Sequence, residues 1–270
     1  MQDQKLKKIG IIGMGYVGKS VRDFFDGNFE ILTWDILDAY SFPDEKFAQV
    51  EAVFVCIPTP QKTDGSADVE AVEETVMRLK TPLIIIKSTV PPGTTEMLAK
   101  RTNASLVFWP EYVGESSYHN PYFPTKIAEE PFAILGGQAD ARRQAVDLLL
   151  PVLGPTKTIF QCSSLEAELA KYAENTFFAT KVTFVNEMAK ICEAFDADWN
   201  IVREAWLLDP RIERMHTAVF TSNPGFAGKC LPKDLSALIA ASRSVGYEPQ
   251  LLETVQAVNL TLRQKSGLST

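Results

Sequence analysis

The 270-residue sequence predicts an α/β protein: an N-terminal parallel sheet followed by a mostly helical half, joined by one long connecting helix. Three observations carry this expectation. Short apolar runs alternate with amphipathic stretches over residues 1–162, the pattern of parallel strands covered on both faces by helices. A Gly-x-Gly-x-x-Gly run opens the first helical stretch. From Leu165 to Phe195 apolar residues recur at helical spacing without proline or glycine. A helix of about 30 residues is expected there, far longer than an ordinary globular helix.

Lys7 to Ile12 reads as a buried strand. Gly13-Met14-Gly15-Tyr16-Val17-Gly18 follows at once, and Val17, Val21, Phe24 and Phe25 mark the helix behind it. Gly13 suits the tight turn, Gly15 the approach of a pyrophosphate to the backbone, and Gly18 the packing of helix on strand. The helix N-terminus offers N–H groups and positive potential to phosphate. A second strand, Glu30 to Trp34, ends in Asp35. About 20 residues beyond the glycines, a carboxylate would bind a ribose 2′-hydroxyl and repel a 2′-phosphate, so a Rossmann-type domain that prefers NAD to NADP is expected.

The alternation continues through strands Ala52 to Ile57, Leu83 to Lys87 and Leu106 to Trp109, with helices Ala67 to Leu79 and Thr95 to Lys100 between them. Pro58, Thr59, Ser88, Thr89 and Glu111 fall just past strand ends, where open α/β sheets bind ligands; turn chemistry alone would also place such residues there. Phe132 to Gly136 and Thr158 to Phe160 read as closing strands. Ser163 and Glu166 have capping-box spacing at the start of the long helix. Its stripe Phe177, Phe178, Val182, Val185 and Met188 suits core or a dimer contact. Lys171 and Asn175, four residues apart, share one face with Glu168 near by. A solvated charged face and a polar site are both compatible with that spacing. Residues 163–270 are thus expected to form a second, helical domain.

Net charge is −7, which argues against a nucleic-acid binder. No apolar run reaches the ~18 residues of a membrane span. The N-terminus carries no signal-like segment, so the expected location is cytoplasmic. Cys56, Cys162, Cys192 and Cys230 are far apart and suggest neither a disulfide framework nor a metal site. The first three read as inert packed thiols. Cys230 differs. It lies in Gly225-Phe226-Ala227-Gly228-Lys229-Cys230-Leu231-Pro232-Lys233-Asp234, among glycines that admit a ligand and lysines that favour a thiolate. His119 and His216 match no catalytic pattern and read as loop or surface residues.

With these residues in hand, the chain resembles the UDP-glucose/GDP-mannose dehydrogenases, nucleotide-sugar 6-dehydrogenases that oxidise a primary alcohol to a carboxylate with two NAD. The likeness runs in order through the glycine motif, Pro58-Thr59-Pro60 with Asp64-Gly65, Lys87-Ser88-Thr89-Val90-Pro91-Pro92-Gly93 and Pro110-Glu111-Tyr112. It continues through Glu168-Leu169-Ala170-Lys171-Tyr172 to Asn175, Asp209-Pro210-Arg211-Ile212 and the Cys230 run. The resemblance implies that Cys230 is the nucleophile, giving a thiohemiacetal and then a thioester. It implies that Lys171 and Asn175 stabilise the oxyanion, that Asp234 orders water or acts as base, and that Thr89 and Glu111 position water near C6. The glycine motif with Tyr16 and Val17, Asp35, Pro58, Thr59, Ser88, Thr89 and Glu115 would hold NAD. Glu111, Lys171, Asn175, Arg211 and Gly228 would face the substrate. Arg211 would reach a neighbouring subunit's substrate, which implies a homodimer built on residues 163–195.

Three departures from the family pattern stand out. The chain stops near Thr270, before the second Rossmann-like domain that supplies much of the nucleotide site in the family, so NAD binding is expected with a weak grip on the nucleotide sugar. Gly114 stands where the family has arginine, and the segment after it is long. Ala227 replaces a glycine. Two other readings stay open at this point: a β-hydroxyacid dehydrogenase, which needs no cysteine, and an NAD-binding scaffold without activity.

Overall fold

The structure is a computed structural model that describes residues 6–114 and 124–268. It divides into two compact units, one of Met1–Pro60 with Asp68–Lys171 and one of Gln61–Ala67 with Tyr172–Thr270.

The first unit is built on a seven-stranded sheet. Its elements in chain order are β1 (Lys8–Ile12), α1 (Tyr16–Phe25), β2 (Glu30–Trp34), α2 (Asp44–Phe47), β3 (Ala52–Val55), α3 (Glu70–Arg78) and β4 (Leu83–Ile86). There follow α4 (Thr94–Ala99), β5 (Ser105–Phe108), a 3₁₀ turn at Ile127–Glu129, β6 (Phe132–Gly137), α5 (Ala139–Leu153) and β7 (Thr158–Cys162). The strand order is β2-β1-β3-β4-β5-β6-β7. Every pairing is parallel except β5 with β6. The parallel sheet expected from the sequence is therefore mostly, not wholly, parallel.

Strands β3 and β4 are buried at every residue, as strands covered by helices on both faces must be. The two sides of the sheet carry separate apolar clusters. One gathers Phe25, Phe54, Trp109 and Leu149; the other gathers Phe47, Val72, Ile84 and Phe108. Helix α5, which carries Pro151, has no counterpart in the sequence reading.

The long helix α6 (Ser164–Ala194) runs 31 residues. Its start is the expected capping box: Ser163 N–H donates to Glu166 Oε2 at 2.8 Å, and Glu166 N–H donates to Ser163 Oγ at 3.2 Å. The second unit adds α7 (Trp199–Trp206), α8 (Leu231–Ser244) and α9 (Gln250–Lys265). Its core holds Ala179, Phe226, Leu235, Ile239 and Val255, with Val182, Leu231 and Leu252 against them. The expected stripe on α6 splits: Val185 is fully buried, whereas Phe177 is 59% exposed. Among the described residues no helix is long and apolar enough to cross a membrane, and none of their acidic, histidine or cysteine clusters could hold a metal ion.

Candidate active site

In the first unit the glycine loop follows β1 and leads into α1. Gly13 has φ +88°, and a Cβ there would lie 2.6 Å from the Cys56 carbonyl oxygen. A Cβ on Gly18 would run into the Gly13 carbonyl. Both glycines are therefore fixed by packing of the backbone on itself. Gly15 is different: it caps α1 in an extended conformation, no side chain caps that helix, and its Cβ would meet nothing within 4 Å. Tyr16 and Val17 begin the helix, and the Tyr16 hydroxyl donates to the Gly114 carbonyl at 2.8 Å.

Asp35 lies past β2 and closes the same loop. Its Oδ2 accepts from Met14 N–H at 2.6 Å and its Oδ1 from Leu37 N–H at 3.0 Å. Each oxygen keeps a lone pair for a further donor. An uncapped helix N-terminus beside an anchored carboxylate fits a dinucleotide: the N–H groups suit the pyrophosphate and Asp35 suits a ribose hydroxyl.

The other strand ends converge in pairs. Thr59 is buried, and its hydroxyl donates to the Thr89 carbonyl at 2.7 Å. Ser88 is buried and donates to Val55 O at 3.2 Å, which ties β4 to β3. Pro58 is exposed and Thr89 half-buried. Glu115 and His119 lie outside the described residues.

Glu111 is held from two sides. Val113 N–H donates to its Oε1 at 2.6 Å, and Lys87 Nζ stands 3.4 Å from its Oε2. Lys87 is itself fully buried; its ammonium donates to Pro110 O at 3.2 Å and lies 4.1 Å from the Trp109 ring centroid. The sequence reading placed Lys87 inside a motif without giving it a task. The signal was available, since a lysine ending an otherwise apolar strand needs a buried acceptor.

Helix α6 carries three buried polar residues at 168, 171 and 175, so the alternative of a solvated charged face is excluded. Glu168 is fully buried and accepts from Gly93 N–H at 2.5 Å and Thr95 N–H at 2.8 Å, stapling the start of α4. Burial pushes its carboxyl up to about 7, against the pull of those donors. Lys171 lies 4.5 Å from the Tyr112 ring centroid, a cation–π contact. It closes the first unit.

Asn175, four residues on, belongs to the second unit. Its Nδ2 donates to Asp234 Oδ2 at 2.5 Å. Asp234 is 1% exposed, pairs through Oδ1 with Lys233 Nζ at 2.6 Å, and donates its N–H to Cys230 O at 2.8 Å. Asn175 is thereby tied to the first turn of α8, whose N-cap is Cys230. The cysteines separate physically. Cys56 and Cys192 are buried, and burial pushes the Cys56 thiol up to about 12. The half-buried Cys162 thiol is also raised by burial, whereas Cys230 is exposed. None forms a disulfide.

The loop before Cys230 is clamped by two asparagines the sequence reading missed. Asn259 on α9 accepts from Phe226 N–H at 2.8 Å and donates to Phe226 O at 3.0 Å. Asn186 on α6 accepts from Gly225 N–H at 3.1 Å. Gly225 has φ +76°, and any Cβ there would strike Asn259. Gly228 has φ +90° and faces open space. Asn259→Ala strands both Phe226 backbone groups in a buried place and is expected to cost about 3 kcal/mol, two hydrogen bonds' worth, read as a lowered denaturation midpoint. Arg211 stands exposed, its guanidinium bonded to Asp209. His216 sits in a turn at φ 60°, stacked on Phe178 at 4.3 Å.

The chain was compared with known families, curated proteins and solved structures. The description "UDP-glucose/GDP-mannose dehydrogenase family, NAD binding domain" matches residues 30–147. The description "UDP-glucose/GDP-mannose dehydrogenase family, central domain" matches residues 165–261. The putative UDP-glucose 6-dehydrogenase YtcA of Bacillus subtilis is 33% identical over 276 residues, covering 96% of this chain and 61% of the relative. UDP-glucose 6-dehydrogenase AglM of Haloferax volcanii is 33% identical over 241 residues, covering 80% and 53%. This chain thus spans a little over half the length of these relatives. The structure of a UDP-glucose dehydrogenase from Pyrobaculum islandicum superposes with TM-score 0.83 at 26% identity, covering 98% of this chain and 70% of that one.

Proposed function

We propose, because the chain belongs to the UDP-glucose/GDP-mannose dehydrogenase family, that it takes part in oxidation of a nucleotide sugar, UDP-glucose first among candidates, from the C6 alcohol to the carboxylate. Its cofactor is NAD, which accepts hydride when bound. The observation that carries the reading is the 2.5 Å Asn175–Asp234 hydrogen bond. It joins two motifs 59 residues apart in sequence and sets a buried amide and carboxylate one helical turn from an exposed thiol.

The chemistry runs in four steps. The alcohol loses a hydride and a proton to give the aldehyde. The Cys230 thiolate adds to the aldehyde carbon, forming a C–S bond. The thiohemiacetal loses a second hydride and a proton, leaving a thioester. Water then cleaves the C–S bond, releasing the carboxylate and restoring the thiol. Lys171 and Asn175 steady the oxyanion on the carbon bonded to sulfur. Asp234 orders water or takes a proton, while Thr89 and Glu111 position water near C6 and Glu111 serves as base for hydrolysis. Glycines 13, 15 and 18, Tyr16, Val17, Asp35, Pro58, Thr59, Ser88, Thr89 and Glu115 hold the cofactor. Gly228 lets the substrate approach the backbone, and Arg211 reaches the neighbouring subunit's substrate. The homodimer forms along residues 163–195, supported by exposed Phe177, Phe184 and Ile191 at seven-residue spacing on α6. The protein works in the cytoplasm.

The test is to mix the purified chain with NAD and a panel of nucleotide sugars and follow NADH. Two NADH per sugar with UDP-glucose are expected. Measurable NAD binding without NADH from any nucleotide sugar would sink the reading in favour of a scaffold, and NADH from a small β-hydroxyacid would favour the other dehydrogenase class.

A further inference from the structure

One buried acid takes no part in the chemistry above. Glu130 follows the 3₁₀ turn and is 1% exposed. Its N–H donates to Ile127 O at 3.2 Å, so its backbone is fixed. Neither carboxylate oxygen meets a hydrogen-bond donor among the described residues. A buried ionised carboxylate without donors is costly, and the group's surroundings decide whether it keeps its charge.

Those surroundings lie within the first unit. Four charged groups act on Glu130, each from a different part of the fold: Lys87 at the end of β4, Glu111 past β5, Lys157 before β7 and Lys171 on α6. Two residues after Glu130, the Phe132 ring packs edge-on to Tyr112 at 5.0 Å. Tyr112 in turn carries the Lys171 ammonium on its face. Lys157 donates to Ile127 O at 2.7 Å, beside the same turn. Lys87, Lys157, Lys171 and Glu111 together carry two net positive charges. Ionised Glu130 offsets one of them; protonated Glu130 offsets none.

We propose that Glu130 is a positioning residue of this site, a buried counter-charge that exchanges a proton with solvent and thereby switches the charge of the Lys87–Glu111–Lys171 cluster. Together with Lys157 the cluster carries one positive charge with Glu130 ionised and two with Glu130 protonated. An anion formed beside Lys171 favours the protonated state, and a cation favours the ionised one. Burial, opposed by the lysines and reinforced by Glu111, pushes the Glu130 carboxyl up to about 7, so the exchange falls in the neutral range. The link to catalysis rests on the role proposed for Lys171.

The experiment is a lysine side-chain NMR titration of the whole chain, with Glu130→Gln for comparison. The Lys171 resonance of the unsubstituted chain is expected to show an inflection near pH 7, and Glu130→Gln to abolish it. A Lys171 resonance flat through neutrality, or an inflection that the substitution leaves unchanged in the Glu168→Gln background, overturns the proposal; that background removes the other buried acid raised to about 7. The carboxyl carbon of Glu130, followed directly, should titrate with the same midpoint, a reading that needs no variant to fold; a midpoint near the ordinary 4.5 also overturns it. Neither measurement needs turnover, so absence of nucleotide-sugar oxidation would sink the functional reading and leave the charge switch decided. Where turnover is seen, Glu130→Gln should remove the limb of the kcat/KM profile near pH 7, which lost packing alone would not do.

Discussion

Cys230→Ala is expected to yield a folded protein that binds NAD and forms no uronic acid. Cys230 is exposed, so removing its sulfur should change stability by less than about 1 kcal/mol. The chemical loss is of another order. In the proposed mechanism, an aldehyde without the thiol has no covalent tether, and its second oxidation would need a hydride from a thiohemiacetal that cannot form. Acid production should fall by at least ~1,000-fold, about 4 kcal/mol of transition-state stabilisation. NADH per sugar should drop from two to at most one. Cys230→Ser should behave alike, because a hydroxyl is the weaker nucleophile at neutral pH. The measurement is paired: NADH by absorbance, uronic acid by chromatography. Acid formation within tenfold of the unsubstituted chain would remove Cys230 from the mechanism and revive the cysteine-independent class.

How much of this was legible in the residues follows the range of the interactions involved. Strands β1, β3 and β4 could be read because burial on both faces forces continuous apolar runs. The capping box at Ser163 could be read because its partners are three residues apart. Strand β6 was read over Phe132 to Gly136, but not its antiparallel direction, since that depends on how the chain returns to the sheet rather than on the strand's own pattern. Helix α5 escaped because Pro151 interrupts its signal. In the site, the charged neighbours of Cys230 were visible, but its clamp was not: Asn186 and Asn259 lie 39 and 33 residues from their backbone partners. Glu168 and Glu130 show the same limit. A glutamate at helical spacing or beside a turn reads as solvated, and only the fold reveals that it is buried.

The glycine loop allows a sharper test, because Gly15 has a different reason for being glycine from Gly13 and Gly18. Gly18→Ala places a methyl against the Gly13 carbonyl, where both sides are backbone and neither can rotate away. Helix α1 must then lift from β1, loosening the cluster that Val21 and Phe25 form with Ile9 and Phe54. Overpacking a well-filled core costs about 1–3 kcal/mol when side chains can yield; here the cost should exceed about 3 kcal/mol, and NAD binding should be lost with it. Gly15→Ala meets nothing in the protein, and its φ of −70° is one that alanine adopts. Its stability should match the unsubstituted chain to within about 1 kcal/mol, while NAD affinity falls roughly tenfold or more as the methyl blocks the pyrophosphate's approach to the N–H groups of α1. Chemical denaturation and NAD titration of the two variants separate packing from binding. If Gly15→Ala binds NAD as tightly as the unsubstituted chain, the pyrophosphate does not lie against this loop.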